Sequence, residues 1–386
     1  MGIETVTTAH ELTNRRQWLA RHSALALAAF GVPGLARAAS PGHFVAAWEA
    51  DEGYRVGVLG QGETQLTLHA ALAVPTRAHG VLVESTGTLL AVARRPGDWL
   101  LRWTRDGRDL AWHWIEPDRA FNGHVIASAD GHRLYTTESD LETGHGLIGV
   151  RDAASLEKLA EWPTHGMDPH ELLLDADGTL LVANGGIPAL PETGRSKIHL
   201  DRMDASVVRL DTHDGQLRGQ WRLVDKRLSL RHIAWGQDAT SGRRLLGIAL
   251  QAEHADAQAR LVAPVLAVFD GRQLHAVPAP QPLAGYGGDI AFAGGAFAVS
   301  CPRADRVVLF DAHEAGGSRW AGAAELPEAC ALAVVPAGTP SARPALWAGG
   351  RDHTLALQGE TTVARARLPR TGAPIRLDNH WTPLAA

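Results

Sequence analysis

From residue 43 onward the apolar positions come in short runs rich in Val, Ile, Leu and Ala, separated by Gly, Pro and Asp turns. Almost nothing repeats every 3.6 residues, so the pattern predicts an all-β chain. The runs fall into groups of four. In one, His124 to Ser128 is followed by the turn Asp130-Gly131, then Leu134 to Thr137, Gly146 to Val150 and Leu156 to Trp162. The next group repeats the scheme with His170 to Leu174, the turn Asp177-Gly178, Leu180 to Asn184, Val207 to Asp211, the turn Asp214-Gly215 and Gln216 to Leu223. Four more groups start near His79, His232, Asp289 and Cys330, after intervals of roughly 40 to 60 residues, the length of a four-stranded blade with its loops.

Six blades leave both ends of the chain over. Leu377 to Trp381 reads as one strand, and Phe44 to Trp48, Tyr54 to Leu59 and Gln65 to Leu72 supply three more. A blade assembled from both termini closes a ring and removes its open sheet edges. The expected fold is therefore an all-β, seven-bladed β-propeller closed by N- and C-terminal strands in one blade, a single domain over 39–386. A TIM barrel would need a helix after every strand, and a β-sandwich would not need the fourfold grouping.

Residues 1–38 have a different character. Arg15-Arg16-Gln17-Trp18-Leu19 precedes a weakly apolar run from Ser23 to Leu35 and the small-residue site Ala36-Arg37-Ala38. Together these read as a twin-arginine export signal and predict a periplasmic mature protein. Twin-arginine cargo is exported folded, often with a cofactor already loaded. No later stretch approaches the roughly 20 apolar residues of a membrane-spanning helix, and the mature chain is expected to be a monomer that does not span the membrane. With 386 residues and a formal net charge of -5, the chain carries no basic stripe of the kind nucleic acid requires.

Candidate chemistry lies where the groups begin. Aligned on the apolar run that follows, His79, His124, His170, His232, Asp289, Cys330 and His380 occupy one register, and in a propeller the first strands line the central channel. A lone His at a strand start is ordinarily just a hydrogen-bonded side chain; repetition is what gives these weight. Imidazole, thiolate and carboxylate are transition-metal ligands, so His79, His124, His170, His232, Cys330 and His380 are the candidate metal ligands. Three or four of them would bind and the others would support those ligands or touch substrate.

Loops from second to third strands should open on the same face, and they carry Arg94, Arg95, Glu138 and Asn184. The segment between Ala183 and Ser206, which contains Arg195, is far longer than a hairpin needs and reads as a lid or binding element. Arg94, Arg95, Glu138, Asn184 and Arg195 are the candidate cofactor-binding residues. Cys301 and Cys330 fall on adjacent blades of this face; they either form a disulfide, or Cys330 is a ligand. There is no Gly-x-Ser-x-Gly elbow, His-Glu-x-x-His motif, phosphate-binding Gly-rich loop or Cys-x-x-Cys-His site.

Arg94-Arg95-Pro96-Gly97, Gly123-His124, Tyr135 to Asp140, Pro169-His170-Glu171, Val182 to Gly186, Thr193 to Lys197, Arg231-His232 and Asp378-Asn379-His380 together resemble the periplasmic propeller family known as domain of unknown function 1513. The likeness spans essentially the whole mature chain. It implies twin-arginine export and a gene context shared with imelysin-like and other periplasmic iron-uptake proteins, which are the expected partners, but no activity. Three functions are left open. The first is a metal-binding protein for iron or copper, with zinc a further candidate, acting in acquisition or handling. The second is an oxidoreductase or hydrolase using a channel-bound metal or organic cofactor, and the third is a protein-binding scaffold.

Overall fold

The computed structural model describes residues 42–188, 197, 199–313, 317–335 and 345–384; the export segment and Arg195 lie outside them. The chain is all-β, and its strands form the blades of a β-propeller. Among the described residues, helix is confined to Ala257–Val262 and two single 3-10 turns. None of these is long and apolar enough to cross a membrane.

Five sheets have four antiparallel strands each, paired in chain order, and their first strands are Ala78–Val83, Arg119–Ala127, Pro169–Leu174, Leu228–Gln237 and Ile290–Ala293. A further sheet has eight strands. In it the C-terminal strand Arg376–Leu384 lies between Ala331–Val335 and His43–Ala50. Its link to Ala331–Val335 is one parallel pair, Leu332 with His380. Its link to His43–Ala50 is an antiparallel ladder from His43 with Leu384 to Glu49 with Arg376, broken by one bulge at Ala47. The first strand of each sheet also packs beside the first strand of the next, and Arg376–Leu384 packs beside Ala78–Val83.

Local chemistry explains the strand ends. At Asp177-Gly178 the Asp177 carboxylate accepts from the Thr179 amide at 2.9 Å, and Gly178 takes a φ of 81° that a side chain would oppose. The core lies between sheets rather than at one centre. Leu181 and Val207 of one sheet, for example, pack against Leu230, Ile248 and Phe269 of the next. Because the apolar faces are satisfied there, the inner ends of the first strands are free to carry polar side chains.

Candidate metal centre

A regular strand sends successive side chains to opposite faces. Each strand that carries one of the five ring histidines breaks that rule with a bulge against its neighbour. His79 and Gly80 together oppose Val92, and His170 and Glu171 oppose Ala183. Arg231 and His232 oppose Ala249. In two strands three residues face one: Asn122, Gly123 and His124 oppose Thr137, while Asp378, Asn379 and His380 oppose Ala47. A bulge re-aims side chains, and here it lets neighbours such as Arg231 and His232 line the same space. Gly123 is needed in its bulge. Its φ is 104°, and a Cβ there would lie 2.8 Å from Cδ2 of His79.

The result is a cluster of imidazoles. His79, His124, His170 and His232 are all buried, and each offers a ligand atom within 4.8 Å of the others. His380 joins from the C-terminal strand, its ring centroid 4.2 Å from that of His232 and 4.7 Å from that of His79. Nε2 of His170 and Nε2 of His232 are 3.1 Å apart. Two nitrogens bound tetrahedrally to one ion at about 2.0 to 2.1 Å would stand roughly 3.3 Å apart, so this pair already has the spacing of a coordination edge. The Nε2 atoms of His79, His124 and His380 are buried without any hydrogen-bond partner. Such atoms are costly to leave unmet, and a cation held among His79, His124, His170 and His232 would satisfy the Nε2 atoms of His79 and His124.

Carboxylates stand behind four of the rings. Oδ1 of Asp378 lies 3.0 Å from Nδ1 of His79, leaving Nε2 to face its neighbours. Asp289 sits 3.4 Å from Nδ1 of His380 and forms a second group of possible ligands with His232 and His380. Glu171 stands 3.7 Å from Nδ1 of His124 and 3.6 Å from Nδ1 of His232. Carboxylates behind imidazoles fix tautomer and orientation in metal sites.

Burial, reinforced by the neighbouring rings, holds His79, His124, His170 and His232 well below the ordinary histidine range. Their lone pairs are therefore available at neutral pH, as ligands require. Desolvation also acts on His380, but Asp289, Glu171 and Asp378 together outweigh it and raise this ring to about 9. Desolvation likewise raises the Glu171 carboxyl to about 6.

His79, His170 and His232 form one wall of a cavity of about 230 Å³. Arg94, Arg95, Lys197, Arg231 and Arg303 line it as well.

The structure sorts the sequence candidates. All five histidines come together, and Asp289 joins them. Arg94 and Arg95 reach the cavity. Cys330 stays outside both ligand groups; its thiol donates to the Gly349 carbonyl at 3.4 Å, and burial pushes it up to about 12, so it is a protonated core group. Of the two alternatives for the cysteines, the disulfide is not formed here: Cys301 and Cys330 are both free. Glu138 is fully buried within its own blade, where Arg151 and Lys158 hold it at 2.7 and 2.9 Å. The strand's alternation turns it there, and its neighbour Ser139 instead bonds the cavity residue Asn122 at 2.9 Å. Asn184 is fully buried and donates to the Thr164 carbonyl at 2.8 Å, away from the cavity lining. Sequence reasoning missed Arg231, Asp378 and Asn379. Arg231 and Asn379 stand next to a ring histidine and Asp378 two residues before one, and each lies in the bulge of its strand.

The family model described as a protein of unknown function, DUF1513, matches residues 72–384. No curated protein matches the sequence. Among solved structures, a functionally unknown protein from Desulfotomaculum acetoxidans is 11% identical, with a TM-score of 0.54 over 88% of this chain and 100% of that one. The periplasmic gluconolactonase of Pseudomonas aeruginosa is 17% identical, with a TM-score of 0.52 over 75% of this chain and 83% of that one. At such identities the likeness is one of fold.

Proposed function

This chain belongs to the DUF1513 family of proteins of unknown function, and from that premise we propose that it is a periplasmic metal-binding propeller that handles iron or copper through its central histidines. The observation that carries the reading is the convergence of four buried imidazoles, those of His79 and His124 with unpartnered Nε2 atoms. Imidazole suits iron, copper and zinc alike, and the carboxylate of Asp289 favours a harder ion such as iron. In this reading the propeller has seven blades. The eight-stranded sheet is two of them joined at Leu332 and His380, and the C-terminal strand closes the ring as the innermost strand of the N-terminal blade. The twin-arginine signal supports the periplasmic location, and imelysin-like iron-uptake proteins are the proposed partners.

The test is metal analysis of protein isolated from the periplasm, followed by titration of stripped protein with Fe²⁺, Cu²⁺ and Zn²⁺. A stoichiometric ion is expected. His124→Ala, His170→Ala and His232→Ala should each weaken binding at least about tenfold, or roughly 1.4 kcal/mol. His313→Ala should leave it unchanged, because His313 lies beside Asp238 in the turn after Arg306–Asp311, remote from the ring. Wild type without metal, or three ring variants that bind as wild type does, would overturn the reading.

A further inference from the structure

The cavity beside the imidazoles is strongly cationic. Among the described residues, five cations line it and no carboxylate does. The carboxylates behind them are fewer. Asp168 serves both Arg95 and Arg231, Glu253 serves Lys197, and Asp378 stands 3.8 Å from Arg94 while also holding Arg77 and His79. Arg303 stacks over the Tyr286 ring at 4.2 Å.

Arg231 is the most telling member. Its side chain is 1% exposed, and Nη1 donates to Asp168 at 2.8 Å. Nε and Nη2 are buried with no partner. These two atoms form one edge of the guanidinium, the edge that grips a carboxylate with two parallel hydrogen bonds. A buried charged group with unmet donors is costly, so the site is built around an anion that enters from outside the protein.

The geometry points to a small di- or tricarboxylate as the ligand of this cavity, one carboxylate gripped by Arg231 and another turned toward the imidazole cluster. The cations come from several separate segments rather than one: Arg94 and Arg95 follow Leu89–Ala93, Lys197 belongs to the long connection after Asn184, Arg231 lies in Leu228–Gln237 and Arg303 follows Cys301. Dispersed cations match dispersed carboxylates better than one compact phosphate. About 230 Å³ is also more room than a phosphate fills, and Asn122, Gln251, Tyr286 and Asn379 add neutral partners for carboxylate or hydroxyl oxygens. This ligand deepens the metal reading, since a carboxylate facing the histidines can complete the coordination of the ion they hold.

The test is calorimetric titration of the full chain with citrate, inorganic phosphate and acetate. It is run first on protein stripped with 1,10-phenanthroline, a neutral chelator that does not compete for an anion site, and then on metal-loaded protein. Stripped wild type is expected to bind citrate, with acetate at least a hundredfold weaker. Arg231→Gln should weaken citrate at least tenfold. Arg303→Gln, at an exposed position that cannot upset the core, should weaken it several-fold and remains informative if the buried variant does not fold. Absence of citrate binding, phosphate bound more tightly than citrate, or citrate affinity unchanged in Arg303→Gln and in any folded Arg231→Gln would overturn the inference. The two readings fail separately: metal binding without citrate binding removes only this inference, and citrate binding by a protein that takes no metal removes only the metal centre.

Discussion

Replacing Asp378 by Asn tests whether the carboxylates behind the rings serve the metal or merely fill space. Asp378 is 1% exposed, and its Oδ1 accepts from Nδ1 of His79 at 3.0 Å and from the Asn379 amide at 2.7 Å. Its other oxygen meets Arg77 and lies 3.8 Å from Arg94. The amide keeps the volume but removes the charge, and it turns an NH₂ toward either His79 or the two guanidinium groups. His79 is then free to change tautomer or rotate, and its Nε2 is no longer held toward the cluster. Removing a carboxylate of this kind behind a ligand imidazole ordinarily weakens metal binding by about 10- to 100-fold, or roughly 1.4 to 2.7 kcal/mol. The loss of a charge-assisted bond to folding should be about 1.5 to 3 kcal/mol, the lower end being expected because Arg77 is partly exposed and can rehydrate. The assay is Zn²⁺ titration by calorimetry at pH 7.5, with a thermal melt to confirm that the variant is folded. A folded Asp378→Asn protein that binds Zn²⁺ within twofold of wild type would refute the role assigned to this carboxylate.

Deleting residues 377–386 should abolish cooperative folding. Leu377, Trp381 and Leu384 are all more than nine-tenths buried, and at about 2 kcal/mol each their burial is worth about 6 kcal/mol, against a total stability of about 5 to 15 kcal/mol; a truncated protein that melts at the wild-type temperature would contradict this. The stability of metal-free protein should fall on acidification. Four imidazoles whose folded pKa is depressed leave the unfolded chain binding more protons below about 6.5, which costs up to about 1.4 kcal/mol per pH unit for each ring. His380 works the other way, its contribution being complete below about 6.5 and lost as pH rises through about 9. Thermal melts between pH 5 and pH 9 should therefore be highest near pH 7 to 8, and a midpoint unchanged from pH 7 to pH 5 would exclude buried neutral rings.

Much of the architecture was legible because a sheet writes its period into the sequence. Asp-Gly turns between aliphatic runs located strands such as Leu180 to Asn184, which ends at the same residue in the structure. The strands at both ends of the chain were recognisable as well, since Phe44 to Trp48 is a short apolar run and Leu377 to Trp381 places a polar ring position before Trp381. The ladder between them pairs Ala46 with Trp381 and stacks the Trp381 ring on Phe44 at 4.4 Å. The register of polar residues was legible for the same reason: one polar residue before one apolar run, repeated around the ring, brings five histidines and Asp289 together.

The rest failed where the period itself is broken. Expecting strict alternation, a reader assigns Arg231 and His232 to opposite faces and keeps only the histidine, yet a bulge opposite Ala249 puts both beside the cavity. The same step hid Asn379 behind His380. Where no bulge intervenes, alternation holds and misleads in the opposite sense. Glu138 looks like a site carboxylate because it follows the run Leu134 to Thr137 as if in a loop, but the strand continues to Asp140, and regular pleating turns Glu138 inward to Arg151 and Ser139 toward Asn122. The bulge is thus more than a local irregularity. Without the bulge opposite Ala249, strict alternation would send Arg231 away from the space that His232 lines, and a site combining that guanidinium with the buried histidines could not be built from this strand.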